Sequence, residues 1–173
     1  MRFLPLALTT ATIATGLAAA VPASAADLTV TVELPRIANA SYHRPYVAVW
    51  IEREDQTAVR TLAVWYNQGR NNEGAGTDWL KDIRTWWRKG GRAMTLPADG
   101  VSGATRAPGT QTITLRGAAL TGLAPGQYNI VVEAARELGG REAVRVPFRW
   151  GAANTGRASG STELGAVSVA VTR

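Results

Sequence analysis

The chain has 173 residues, one histidine, six tryptophans, no cysteine and a formal net charge of +6. Without cysteine there are no disulfides and no thiolate metal site, so stability rests on core packing and sheet pairing. The basic residues are scattered, with no run of five like charges, which argues against a nucleic-acid-binding tail.

Residues 1–25 read as a secretory signal peptide. Arg2 is the charged start, Phe3 to Val21 is apolar and free of acids, and Ala23-Ser24-Ala25 is a small-residue cleavage site that leaves Ala26 first. The alternative is an uncleaved anchor; Pro22 and the Ala-x-Ala ending favour cleavage. No other apolar run approaches the roughly 20 residues that span a bilayer. Loss of Arg2 leaves 18 basic against 13 acidic residues, a surplus of +5. Residues 26–173 are one domain long and able to bury a core. An exported basic chain meets anionic lipid or an acidic partner more readily than nucleic acid.

Asp27 to Leu34 alternates apolar and polar residues, the pattern of a half-buried strand. Pro35 to Pro45 is a loop carrying Tyr42, His43 and Arg44. Tyr46–Arg53 and Ala58–Tyr66 are rich in β-branched and aromatic residues and flank a polar turn, a β-hairpin pattern. Asn67 to Gly76 reads as a polar, glycine-rich loop. Thr77 or Asp78 can cap a helix in which Trp79, Ile83 and Trp86 recur at i, i+4 and i+7, beside Leu80 and Trp87. Arg88, Lys89 and Gly90-Gly91 suit its end. Such a tryptophan face packs on a sheet or forms a ligand platform.

Arg92 to Pro108 reads as a loop, followed by strands at Gln111–Arg116, Gln127–Ala135, Ala143–Trp150 and Leu164–Thr172. Pro147 marks the third of these as an edge or bulged strand. Gly151 to Ser161 reads as a flexible loop. About seven short strands with regular turn signals, and one inserted helix, predict an all-β immunoglobulin-like β-sandwich in a single domain, 26–173.

Few constellations carry chemistry. A Ser-His-Asp site needs an oriented base, but His43 is alone and no G-x-S-x-G occurs. One histidine and dispersed acids supply no dedicated metal site, and no catalytic residue is assigned. His43 is a loop residue at a strand entrance, or a titrating group beside a cofactor. Glu133, Arg136 and Glu137 form a structural ion-pair network or line a site. Asp99-Gly100-Val101-Ser102-Gly103-Ala104-Thr105 joins an acid, a turn and a hydroxyl with little side-chain bulk between them. It is a plain connecting loop, or a place where a large planar group approaches Thr105.

Two resemblances bear on that choice. HRPYVAVWIE, VRTLAVW, WLKDIRTWWR, SGATRAPG, GQYNIVVEAARE and ELGAVSV resemble, in order, segments of the predicted periplasmic family catalogued as domain of unknown function 2271. That resemblance implies an exported β-rich domain with no established activity. The family's members often stand beside PepSY-type membrane proteins and flavin transferases, which implies extracytosolic electron transfer and a link to iron uptake. Asp99–Thr105 also resembles the flavinylation motif of FMN-binding redox proteins, in which a transferase uses FAD to join FMN through its phosphate to the last threonine. By position Thr105 is then the acceptor, Ser102, Gly103 and Ala104 its recognition loop, and Asp99 the motif's acid; Arg106 would neutralise the phosphodiester. Such an acceptor needs an exposed, slim, flexible loop, and Trp86, Trp87 or Tyr42 would shield the ring. The rival expectation is a cofactor-free β-sandwich that serves a membrane complex as a binding or accessory module.

Overall fold

The computed structural model describes residues 26–38, 42–71 and 74–172. The signal peptide expected over 1–25 lies outside the described residues. The strands are β1 (Asp27–Leu34), β2 (Tyr46–Glu52), β3 (Ala58–Tyr66), β4 (Arg70–Asn71), β5 (Gly74–Ala75), β6 (Ser102–Ala104), β7 (Gly109–Leu115), β8 (Gly126–Ala135), β9 (Arg141–Trp150), β10 (Asn154–Ser159) and β11 (Ala166–Thr172). One sheet runs β10-β11-β1-β7, the other β6-β3-β2-β8-β9, and β4 pairs only with β5. The chain is the all-β sandwich with one inserted helical segment that its alternation predicts.

That alternation sets which side chains enter the core. Leu28, Val30, Val32 and Leu34 of β1 face Val47, Val49 and Ile51 of β2 and Ile130 and Val132 of β8 across the space between the sheets. β9 alternates in the same way, with Val144, Val146, Phe148 and Trp150 inside and Arg145 and Arg149 outside. Between Val49 and Trp50 the β2–β3 register slips by a residue. Leu62 and Ala63 therefore both enter the core, and Thr61 is paired with Trp50.

Four strands appear where the sequence reads as loop: the two-residue β4 and β5, which pair with each other, and two that join the main sheets. Residues 154–159 form β10, paired with β11, and residues 102–104 form β6, parallel to the end of β3. Neither has the apolar alternation that marks a strand, since β10 reads NTGRAS and β6 reads SGA. β10 owes its place to β9. A methyl group on Gly156 would fall 2.3 Å from the Pro147 carbonyl oxygen, so this glycine lets the two sheets close at that edge.

A second apolar cluster lies on the outer face of the five-stranded sheet. Ala48, Trp50, Val64, Tyr66 and Val131 pack against Leu80, Ile83 and Trp86. The single helix predicted from the tryptophan spacing is in fact a 3₁₀ turn, Gly76–Asp82, and a short α-helix, α1 (Arg84–Lys89), that meet at Ile83. The buried residues recur every third position, Leu80, Ile83 and Trp86, which suits 3₁₀ winding. Trp79 consequently lies off the packed face and is 42% exposed. Neither Thr77 nor Asp78 is the cap residue; that place falls to Ala75, whose N–H donates to Asp78 Oδ2 at 2.9 Å. A methyl group on Gly91 would touch the Trp86 ring at 2.6 Å, so the helix end folds directly over that indole.

Polar contacts beneath α1 fix its position. Glu133 of β8 is fully buried and accepts from the N–H groups of Thr85 (3.0 Å) and Trp86 (2.9 Å) and from Arg141 Nη1 at 2.6 Å. Glu52 of β2, also fully buried, accepts from Trp50 Nε1 at 2.9 Å, Lys89 Nζ at 2.6 Å and Arg145 Nε at 3.3 Å. Trp86 Nε1 donates to Thr61 Oγ1 at 3.0 Å. A buried carboxylate is tolerated only with such partners.

Two substitutions test these contacts. Gly156→Ala should cost about 1–3 kcal/mol by overpacking against Pro147, read as a lower urea midpoint with an unchanged slope. Glu133→Ala leaves the Trp86 N–H buried without an acceptor and should cost about 2–3 kcal/mol; the partly exposed Arg141 turns to water and adds little. Amide exchange should accelerate at Thr85 and Trp86 before it does in β2 or β8.

Candidate functional site: a cleft at the open edge of the sandwich

The sandwich is closed where β9 meets β10 and open at the other edge, where β6 and β3 stand across from β7. The opening is a cleft of about 320 Å³. Leu62, Ala63 and Trp65 come from β3, Gly100 to Gly103 and Arg106 from the Asp99–Arg106 segment, and Gln111, Thr112 and Ile113 from β7. No acidic side chain lines it. The Arg106 guanidinium lies 5.4 Å from the centroid of the Trp65 ring, a cation–π contact that keeps the charge at the cleft.

The segment that resembles a flavinylation motif is held more firmly than a free loop. Ser102 N–H donates to the Ala98 carbonyl and Ala98 N–H to Ser102 Oγ, both at 2.9 Å. Gly100, with φ at +68°, makes the turn that glycine favours. Val64 N–H donates to the Val101 carbonyl at 2.9 Å, and Ser102, Gly103 and Ala104 pair with Val64, Trp65 and Tyr66. Gln68 Nε2 reaches the Gly103 carbonyl at 3.2 Å. A methyl group on Gly103 would sit 3.2 Å from Trp65 Cδ1 and 3.5 Å from an Arg106 nitrogen, so glycine there keeps the ring and the guanidinium close.

Of the residues singled out by position, Ser102, Gly103 and Arg106 line the cleft. Thr105 follows β6, half-buried, between Gly103 and Arg106, and its hydroxyl has no hydrogen-bond partner among the described residues. Ala104 and Asp99 are exposed. The aromatic residues expected to shield the ring are engaged elsewhere. Trp86 is buried beneath the helical segment with Trp87 packed against it, and the Tyr42 ring lies 5.8 Å from the Arg136 guanidinium. The aromatic at the cleft is Trp65. Its place inside β3 was legible, but a parallel strand that brings Gly103 and Arg106 to it was not.

Glu133, Arg136 and Glu137 belong to three separate contacts. Glu133 holds α1. Arg136 makes a two-pronged pair with buried Glu163, Nε to Oε2 at 2.9 Å and Nη2 to Oε1 at 3.0 Å; that carboxylate raises the pKa of the guanidinium. Glu137 Oε2 lies 3.3 Å from His43 Nδ1 on the surface. Among the described residues no group of three His, Asp or Glu could hold a metal ion. Glu142 gathers the turn that carries Glu163: its carboxylate accepts from the N–H groups of Ser161, Thr162, Glu163 and Leu164 at 2.7–3.0 Å. Burial alone would raise its pKa, but the N–H groups of Leu164, Ser161 and Thr162 draw it down to about 2.

Fold and cleft define a two-sheet β-sandwich whose one open edge is basic and aromatic. The model of the family described as predicted periplasmic protein (DUF2271) matches residues 27–166, and the chain belongs to that family. No curated protein and no solved structure matches it. Among the described residues no helix is long and apolar enough to cross a membrane.

The Glu142 clamp has a testable pH signature. Its folded pKa of about 2 lies below the ordinary 4.5, so its stabilisation is complete above the ordinary value and fades as pH falls toward the folded one. Wild type should exceed Glu142→Gln by about 2–3 kcal/mol at pH 6, and the gap in urea titrations should narrow steadily between pH 5 and pH 2 (the linkage window).

Proposed function

We propose that this predicted periplasmic protein carries FMN covalently on Thr105 and passes electrons outside the cytoplasm. The observation that supports the reading most is the half-buried Thr105 hydroxyl, unpartnered among the described residues and next in sequence to Arg106, which with Trp65 lines a cleft that holds no acid. Attachment is a phosphoryl transfer with no redox change. Thr105 Oγ forms a bond to the FMN phosphorus of FAD, the pyrophosphate bond breaks, and AMP leaves as the hydroxyl proton is lost. The transferase supplies FAD and its own catalytic groups, so this chain contributes the nucleophile and a slim approach through Gly103 and Ala104.

The cleft suits one part of that group. Small-molecule pockets run from ~300 to ~1,000 Å³, so a volume of about 320 Å³ takes one planar ring system and little more. Leu62, Ala63 and Trp65 give apolar and aromatic walls, Gln111 a polar group, and Arg106 a cation near the phosphodiester of an adduct at the preceding residue. When bound, the flavin supplies reversible one- and two-electron chemistry. A covalent bond keeps it from diffusing away. A PepSY-type membrane protein is the electron partner that the resemblance implies. The tied backbone up to Ala104 is compatible with transfer because Thr105 follows the strand.

The test is the intact mass of the exported protein made together with a flavin transferase. The expected outcome is a gain equal to FMN less one water, with flavin absorbance, abolished in Thr105→Ala and retained in Thr105→Ser. An unmodified wild type, or an unchanged gain in Thr105→Ala, would defeat the reading and leave a cofactor-free accessory module.

A further inference from the structure

We infer that the outer face formed by α1 and β9 docks on an anionic phospholipid surface. Arg84, Arg88 and Lys89 of α1 and Arg141, Arg145 and Arg149 of β9 stand on one side of the five-stranded sheet. The acids beneath them, Glu52 and Glu133, are fully buried. Six cations over two carboxylates leave a surplus of four. The adjoining helical turn adds Lys81, Asp78 and Asp82, which brings the surplus on this side to three; the other described residues carry ten cations against eight acids. Exposed Asp55, whose carboxylate feels Lys89, lies at one end of this face.

Their geometry suits phosphate more than a single tight ligand. Arg141 and Arg145 are anchored through Nη1 and Nε to the buried glutamates, yet about 40% of each side chain stays exposed. Their other N–H groups have no partner among the described residues, which leaves guanidinium edges held ready for phosphate oxygens. Arg141, Arg145 and Arg149 recur every four residues along a strand, ~13–14 Å apart, with Ala143 and Pro147 between them. Cations spread along a strand and the helix packed beside it match a surface of repeated headgroups rather than one compact anion. Trp79, 42% exposed on the neighbouring helical segment with Lys81 Nζ 5.2 Å from its ring centroid, adds an aromatic of the kind that favours the headgroup layer. Each such cation strengthens attraction to an anionic leaflet several-fold.

The experiment is co-sedimentation of the mature protein with vesicles of mixed phosphatidylglycerol and phosphatidylcholine, and of phosphatidylcholine alone. Binding should require phosphatidylglycerol and weaken with salt. Arg84, Arg88 and Arg149 have no side-chain partner among the described residues, so the variant R84Q/R88Q/R149Q keeps the buried pairs and should retain the wild-type unfolding midpoint. It should bind phosphatidylglycerol vesicles on the order of a hundredfold more weakly. The variant R36Q/R116Q/R157Q removes the same charge elsewhere and should bind within about threefold of wild type. A loss below about tenfold in the first variant, or an equal loss in the second, overturns the inference. Absence of vesicle binding also overturns it and leaves an acidic protein as the partner. Displacement by inorganic phosphate at matched ionic strength overturns it in favour of a free-phosphate site. Thr105→Ala should bind vesicles like wild type, which separates this result from the fate of the flavin.

Discussion

Two carboxylates on the outer face of a sheet impose the constraint that the rest of the molecule obeys. Glu52 and Glu133 are fully buried, and an ionised carboxylate taken out of water without donors costs several kcal/mol. The helical segment meets that demand: it brings two backbone N–H groups to Glu133 and Lys89 to Glu52. Arg141 and Arg145 complete the pairs from the neighbouring strand. The tryptophans follow from this arrangement. Trp86 is drawn beneath α1, and Trp50 lies against it with its own N–H on Glu52.

Sequence and structure agree where burial alone decides. β1, β9 and β11 were legible because apolar residues alternate along them, and β2 and β8 because β-branched and aromatic residues crowd them, buried on both faces. β6 and β10 were not, because they are positioned by neighbours: β6 by the 98–102 turn that the Ser102 hydroxyl helps to close, β10 by the close approach of Pro147 to Gly156. The tryptophan pattern was legible as helical but not as a 3₁₀ turn broken at Ile83. Trp79, Ile83 and Trp86 fit an α-helix as well as Leu80, Ile83 and Trp86 fit the observed winding.

The candidate site divides in the same way. Thr105 and its flanking small residues stood out from their types and order. Trp65 did not, because its role depends on a parallel pairing between residues almost forty positions apart. Nor did the partners of Arg136 and Glu137: Glu163 arrives from a distant turn, and His43 from the connection between β1 and β2. Adjacent charges along one strand end suggested one network, whereas the fold sends each to a different neighbour.

Cleft and arginine ladder occupy opposite edges of one sheet. β6 borders the cleft and β9 carries the arginine ladder, with β3, β2 and β8 between them. Four interstrand spacings of ~4.8 Å separate the two edges by ~19 Å. A surface resting against β9 therefore leaves the β6–β7 edge and its cleft uncovered. The tight β9–β10 edge also gives that arrangement a rigid side. Contacts on the arginine ladder load a part of the sandwich that Gly156 and Pro147 hold closed, whereas the opposite edge ends in β6, a strand held to β3 over only three residues.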